Sequence, residues 1–232
     1  MPRSCLGEYN SVMSIRKIIF EKEQFYHIYN RGNSKQQIFQ SMRDEERFME
    51  ILYLCNTNSP INIRNINRDT ENIYSYNLDD KIVTIVAYCL MPNHFHILLS
   101  PINENGIQLF MQKLSTAYVM YYNKKYERTG SLFEGKFKST HADSDDYLRY
   151  LFSYIHLNPI KIIESSWKES GIKNKQKALE FLKKYNSSSY IDWENVKRNE
   201  NLIIKKEAFE QYLDNSKELS KELIYWLYNY AK

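Results

Sequence analysis

The sequence predicts an α+β fold, an antiparallel sheet with helices packed on it. Three observations predict it. Two apolar runs, KIVTIVAYCL (81–90) and HFHILLS (94–100), flank Met91, Pro92, Asn93 and His94. Proline presets the second position of a turn and asparagine suits the third, so the runs read as a hairpin. Ile107, Phe110, Met111, Leu114, Tyr118, Tyr121 and Tyr122 fall on one helical stripe within 105–126. Strand-like and helix-like segments also alternate in a definite order up to about residue 140.

Taken in order, FYHIYNRG (25–32) is a short aromatic and β-branched run ending at Gly32, hence a first strand and a turn. Asp44 opens DEERFMEILYLCN, where Phe48, Ile51, Leu52 and Cys55 keep helical spacing and acidic residues fill the first turn, as the helix dipole favours. Residues 56–80 are rich in Asn and Asp with little periodicity and read as a long exposed loop. The 81–90 run is apolar enough for a central strand. After the hairpin and the 105–126 helix, SLFEGKFKST (131–140) reads as a fourth strand with a bulge at Gly135. The sum is the split βαβ, or ferredoxin-like, order, in which the first and third strands are central. A further helix spans 143–158, capped by Asp143 or Ser144 and ended by Pro159.

These elements divide the chain into an N-terminal extension (1–20), with Met13 an alternative natural start, a main domain (21–165) and a polar, helical C-terminal extension (166–232). Hydrophobic residues make up 43% and charged residues 26%, a globular composition that excludes disordered and collagen-like chains. A net charge of +4 permits a polyanionic partner without requiring one. Cys5, Cys55 and Cys89 have no metal or disulfide spacing, which suits a reducing compartment. With no signal-peptide pattern and no run long enough for a membrane span, the expected location is cytoplasmic, with no membrane partner.

Strand side chains alternate faces, so His94 and His96 project together, opposite Phe95 and Ile97. Two neutral imidazoles can hold a borderline divalent metal and leave positions open for oxygen ligands. A bare H-x-H is nevertheless a short, common pattern, more often a pair of ordinary histidines. On the 143–158 helix, Leu148, Leu151, Phe152 and Ile155 form the face toward the sheet, with Tyr147, Tyr150, Tyr154 and Asn158 on a neighbouring stripe. Tyr154 and Asn158 lie one turn apart and can address a single point. A phenol, an amide and two imidazoles would suit phosphoryl transfer. Aromatic packing with an asparagine before a proline is the plainer alternative, and spacing leaves both open.

The stretches AYCLMPNHFHILLSP, GSLFEGKFKS and YLFSYIHLNPIK, with FYHIYNRGNSKQQIF before them, together resemble the bacterial single-tyrosine HUH transposases of the insertion-sequence-200 type. Among these the REP-associated tyrosine transposases are the most similar. HUH denotes histidine, bulky hydrophobic, histidine, here His94, Phe95 and His96. The resemblance runs from about Phe25 to Lys161, with YNSSSYIDW (185–193) a faint further echo. It implies a ferredoxin-like core with an extra catalytic helix, a magnesium or manganese ion, and single-stranded, hairpin-forming DNA as substrate. It further implies His94 and His96 as metal ligands, Tyr154 as nucleophile, and Asn158 where some relatives carry glutamine as a third ligand. The implied reaction is nicking and strand transfer through a 5′-phosphotyrosine, as in DNA transposition and recombination. Some such enzymes are homodimers sharing active sites, others monomers.

Single strands are bound by basic grooves and aromatic platforms. Lys124, Lys125, Arg128, Lys136 and Lys138, interleaved with aromatic residues in YYNKKYERTGSLFEGKFKS, are candidate DNA contacts, as are Asn30, Arg31 and Asn33. Lys136, Lys138 and Arg149 are candidates for the positive field that would favour a tyrosinate. Three alternatives remain. Tyr150 and Tyr154 have the Y-x-x-x-Y spacing of two-tyrosine rolling-circle initiators; a domesticated relative would bind a DNA hairpin without cutting it; and His94 and His96 could serve a small-molecule metalloenzyme.

Overall fold

The structure, a computed structural model, describes residues 19–60, 72–213 and Leu223. Four strands, β1 (Tyr26–Arg31), β2 (Val83–Met91), β3 (His94–Pro101) and β4 (Lys138–His141), form one sheet in the order β2-β3-β1-β4, every pair antiparallel. The first and third strands are therefore central, as the element order predicts. Pro92 and Asn93 alone separate β2 from β3, so the hairpin is as tight as its turn residues suggest.

Helices α1 (Met42–Leu54) and α2 (Gly106–Lys125) pack on one face. Phe48 of α1 joins the two layers, its ring centroid 5.0 Å from that of Phe95 on β3 and 4.9 Å from that of Tyr118 on α2. All three are buried, so Phe95 fixes which face of β3 belongs to this core and which face His94 and His96 must take. The first turn of α1 shows why the sequence starts a helix there. Asp44, its side chain fully buried, accepts from the backbone N–H groups of Gln40 (2.9 Å) and Ser41 (3.0 Å), satisfying donors the helix leaves orphaned.

The fourth strand is shorter than its sequence suggests. Of 131–140 only Lys138, Ser139 and Thr140 join the ladder, together with His141. Gly135, at φ +101°, turns the chain in a conformation that L side chains rarely adopt, and residues before it run along the end of β1 through single contacts such as Glu134 N–H to Arg31 O (2.9 Å).

Helix α3 (Asp145–Leu157), capped by Ser144, lies against β2 and β3. The C-terminal residues continue through α4 (Ile160–Ile163), α5 (Trp167–Ser170), α6 (Lys175–Leu182), α7 (Tyr190–Trp193) and three 3₁₀ turns between Asn199 and Tyr212. They complete the core rather than hang from it. Phe209 stacks on Phe152 of α3 with centroids 4.2 Å apart, and buried His156 of α3 bonds Ser189 Oγ at 2.9 Å. The same segment covers the free edge of β2, with Leu90 N–H bonded to Ser187 O, Ser189 N–H to Tyr88 O and Lys205 N–H to Ile85 O. Arg198 secures it by a bidentate pair to buried Asp192, both bonds 2.6 Å. Cys55 and Cys89 are buried free thiols. The Met13 start, Cys5, residues 61–71 of the 56–80 loop and the final ELIYWLYNYAK stretch except Leu223 lie outside the described residues.

Candidate active site between the sheet and α3

Register places the site residues in rows across the sheet. His96 stands opposite Tyr29 on β1, which stands opposite Lys138 on β4; His94 stands opposite Arg31. All therefore project to the face away from Phe95. Helix α3 lies on that face and brings Tyr154, whose ring meets that of His96 edge-on at 5.5 Å, and Asn158, whose amide Nδ2 is 3.3 Å from His96 Nε2. His94, His96, Tyr154 and Asn158 thus converge, as their spacing allows.

A third histidine, not singled out by the sequence patterns, completes the group. His27 on β1 sits diagonally from His96, and its Nε2 is 2.8 Å from His96 Nδ1. With the Asn158 NH₂ turned toward His96, the hydrogen bonds select one tautomer for each of the three. The Asn158 NH₂ can only donate, so His96 accepts at Nε2 and carries its proton on Nδ1; that proton goes to His27 Nε2, which leaves His27 protonated at Nδ1. His94 Nδ1 donates to Asn93 Oδ1 at 2.6 Å. His94 and His96 are thereby both fixed through Nδ1 and present Nε2 lone pairs.

Their electrostatics keep them neutral. Burial, reinforced by Lys168, lowers the pKa of His27 to about 4. Burial and Lys161 lower that of His94 to about 4, against a bond to Asn158 that works the other way. Burial first, then the neighbouring His27 and His94, push His96 well below the ordinary value. Neutral imidazoles are the form that binds metal. The separation of His96 Nε2 from the Asn158 amide, 3.3 Å, is close to the roughly 3 Å between adjacent donors around an octahedral ion with bonds of about 2.1 Å. A half turn of the amide would present its oxygen in place of its NH₂. The donor set therefore fits a divalent ion with two imidazoles and one amide oxygen. Among the described residues no group of three His, Cys, Asp or Glu side chains is placed to hold a metal ion, so the fit rests on two imidazoles and the amide.

A groove of 720 Å³ opens beside His94, lined on its basic side by Arg31, Lys35, Lys138 and Lys161. The candidate DNA contacts separate on this geometry. Arg31 and Lys138 line the groove, although Arg31 is paired with Glu134. Asn30 also borders it but is buried, donating to Gly135 O at 3.1 Å and accepting from the Arg31 N–H, so its amide is engaged in shaping the β1 end. Asn33 begins a 3₁₀ turn, its N–H bonded to Leu132 O. Lys136 is exposed on the segment before β4. Lys124, Lys125 and Arg128 belong instead to the end of α2: Lys125 is committed to Asp44 at 2.6 Å, and Arg128 lies 5.5 Å from the ring centroid of Tyr122. Lys161 follows Pro159 in sequence, outside the patterns that single out the other cations.

The charge nearest the tyrosine also differs from expectation. Arg149 is paired with Asp146 at 2.6 Å, and the cation at Tyr154 is Lys168, whose Nζ donates to Tyr154 Oη at 2.8 Å. Tyr150, more than a third exposed, stacks between Tyr147 and Tyr154 with centroids 5.9 and 6.0 Å away.

Against known families, the IS200-like transposase family matches residues 21–158, from just before β1 to Asn158. The chain belongs to this family. The matched segment spans the four-stranded sheet, α1, α2 and α3, and so contains His94, His96, Tyr154 and Asn158 of this IS200-like family member. No curated protein matches it. Among solved structures it is similar to a REP-associated tyrosine transposase bound to a REP hairpin, at 11% identity and a TM-score of 0.49, over 81% of this chain and 90% of that one. No helix among the described residues is long and apolar enough to cross a membrane.

Proposed function

We propose that the protein is a metal-dependent single-stranded DNA endonuclease and strand transferase acting beside DNA hairpins. The observation that carries this reading is the convergence of a helix-borne tyrosine with two Nε2-presenting histidines and an amide, in a chain of the IS200-like transposase family. A magnesium or manganese ion held by His94, His96 and Asn158 would supply Lewis-acid polarisation of a phosphate oxygen. Arg31, Lys138 and Lys161 hold the flanking phosphates in the groove, and the edge-on packing against His96 holds the Tyr154 ring.

Tyr154 Oη attacks the phosphorus, its O–H bond breaks, and the bond from phosphorus to the 3′ oxygen breaks in turn. One strand leaves with a 3′ hydroxyl and the other stays attached through a 5′-phosphotyrosine. One phosphodiester replaces another, so no nucleotide cofactor is needed and a second 3′ hydroxyl can reverse the step.

The test mixes the protein with 5′- and 3′-labelled single-stranded hairpin oligonucleotides, with manganese or with EDTA, beside Tyr154→Phe. The expected result is a manganese-dependent covalent adduct that retains the DNA on the 3′ side of the cut and is absent from Tyr154→Phe. Tight hairpin binding with no adduct under any metal would overturn the reading in favour of a non-cleaving hairpin-binding protein.

A further inference from the structure

We propose that Lys168, which lies beyond the family-matched segment, is a catalytic residue that holds the oxygen of the attacking tyrosine by a charged hydrogen bond. The inference rests on the strand-cleaving reading above and adds a residue to it.

Lysine has three donors and no acceptor, so the 2.8 Å contact between Nζ and Tyr154 Oη leaves no doubt of direction: the ammonium donates to the oxygen that would attack. The same Nζ is 4.0 Å from the centroid of the Tyr154 ring, within the range of a cation–π contact. Lys168 is only partly exposed, and among the described residues no carboxylate pairs with it.

The backbone explains how a residue fourteen positions after Tyr154 returns to it. Asn158 ends α3, Pro159 permits no straight continuation, and Ile160 and Trp167, both buried, seat α4 and α5 on the core. Trp167 N–H bonds Glu164 O at 3.2 Å, closing the turn between them. With Trp167 buried, its neighbour in the chain is presented at the site, and that neighbour is Lys168.

In the reaction, the phenol proton passes to solvent as the bond from Oη to phosphorus forms, and the departing 3′ oxygen takes a proton from solvent. Lys168 keeps its three protons throughout. Its part is to stabilise the negative charge on Oη before the new bond is made, and on the same oxygen when the phosphotyrosine is resolved and tyrosine is the leaving group. A preorganised charged donor aimed at a developing oxyanion is more effective than water in a site partly closed to solvent.

The experiment measures single-turnover adduct formation on a labelled single-stranded hairpin oligonucleotide with manganese, across DNA concentrations, for wild type, Tyr154→Phe, Lys168→Met, Lys168→Arg and Lys168→Ala. Lys168→Met is expected to lower the rate at saturating DNA roughly 100-fold, with little change in half-saturating DNA. Lys168→Arg should keep most of the rate, and added ethylammonium should restore part of the Lys168→Ala rate. Circular dichroism and melting establish that each variant is folded. An adduct in the wild type with Lys168→Met equally fast at saturation would overturn the role of Lys168 alone. Weaker DNA binding at an unchanged saturated rate would do the same, marking a phosphate contact. No adduct in the wild type would overturn the cleaving reading and this one with it.

Discussion

Replacing His27 with phenylalanine separates a histidine that supports a metal ligand from one that merely fills the sheet. His27 and His96 are buried, at 6% and 5% exposure, and the bond between them is 2.8 Å. Phenylalanine preserves the ring that stacks on Tyr29 at 5.0 Å but offers no acceptor. The His96 Nδ1 proton is then stranded, at a cost of about 1 to 3 kcal/mol of stability. Only the Asn158 amide then bears on the tautomer, and a half turn of that amide lets His96 rotate or move its proton to Nε2, which blocks the lone pair that a metal requires. Loss of such an outer partner weakens metal binding by about 10- to 100-fold. The assay titrates manganese into DNA-free protein and follows the paramagnetic resonance of the free ion. His141→Phe serves as control, because His141 bonds Gln24 at 3.1 Å on the exposed end of β4. Manganese affinity equal to wild type in a His27→Phe protein that melts at lower temperature would refute the supporting role and leave the pair as packing.

Three further outcomes follow from the geometry. Tyr150→Phe should retain covalent adduct on a denaturing gel while Tyr154→Phe loses it, because Tyr150 stacks between two tyrosines whereas Tyr154 meets both His96 and Lys168; adduct supported by either tyrosine alone would favour the two-tyrosine alternative. Lys161→Gln and Lys138→Gln should each reduce the salt dependence of single-strand binding by about 0.7 in the log–log slope, whereas Lys125→Gln, removing the partner of Asp44, should lower stability and leave that slope alone. Burial alone would raise the Asp44 pKa, but Lys125, Tyr126, the Gln40 N–H and Tyr121 outweigh it and hold it at about 2, against an ordinary 3.8. A depressed carboxyl contributes stability above its unfolded pKa and loses it as pH falls through the folded one. Asp44→Asn should therefore cost about 2 kcal/mol in urea unfolding at pH 7 and much less near pH 2; an equal loss at both would refute this.

What the sequence discloses and what it withholds divide along a physical line. The hairpin, the pairing of His94 with His96 and the stacking of Tyr154 over Asn158 depend on periodicities of two and 3.6 within one element, which spacing alone fixes. The opposition of Phe95 to the histidines follows from the same rule. His27 is different. Its alternation with Ile28 was readable in FYHIYNRG, but its contact with His96 depends on the register of β1 against β3, which no single segment encodes. Lys168 depends on the path of two four-residue helices after Pro159, where nothing periodic exists to read. Arg149, on the expected helix and of the right charge, is engaged with Asp146 one turn earlier. The fourth strand is overextended in the sequence reading because FEGKF has strand-like composition, while the positive φ of Gly135 breaks the ladder.

The covered edge of β2 limits how copies of this chain can assemble. With Ser187, Ser189 and Lys205 bonded along that edge, its backbone groups are not free to recruit another strand. Among the described residues the sheet ends on its other side at β4, only four residues long. A sheet that can grow from one side alone can join a second copy only edge to like edge, about a two-fold axis, and such a junction uses up both growing sides at once. Among the described residues, sheet extension therefore stops at a pair of copies.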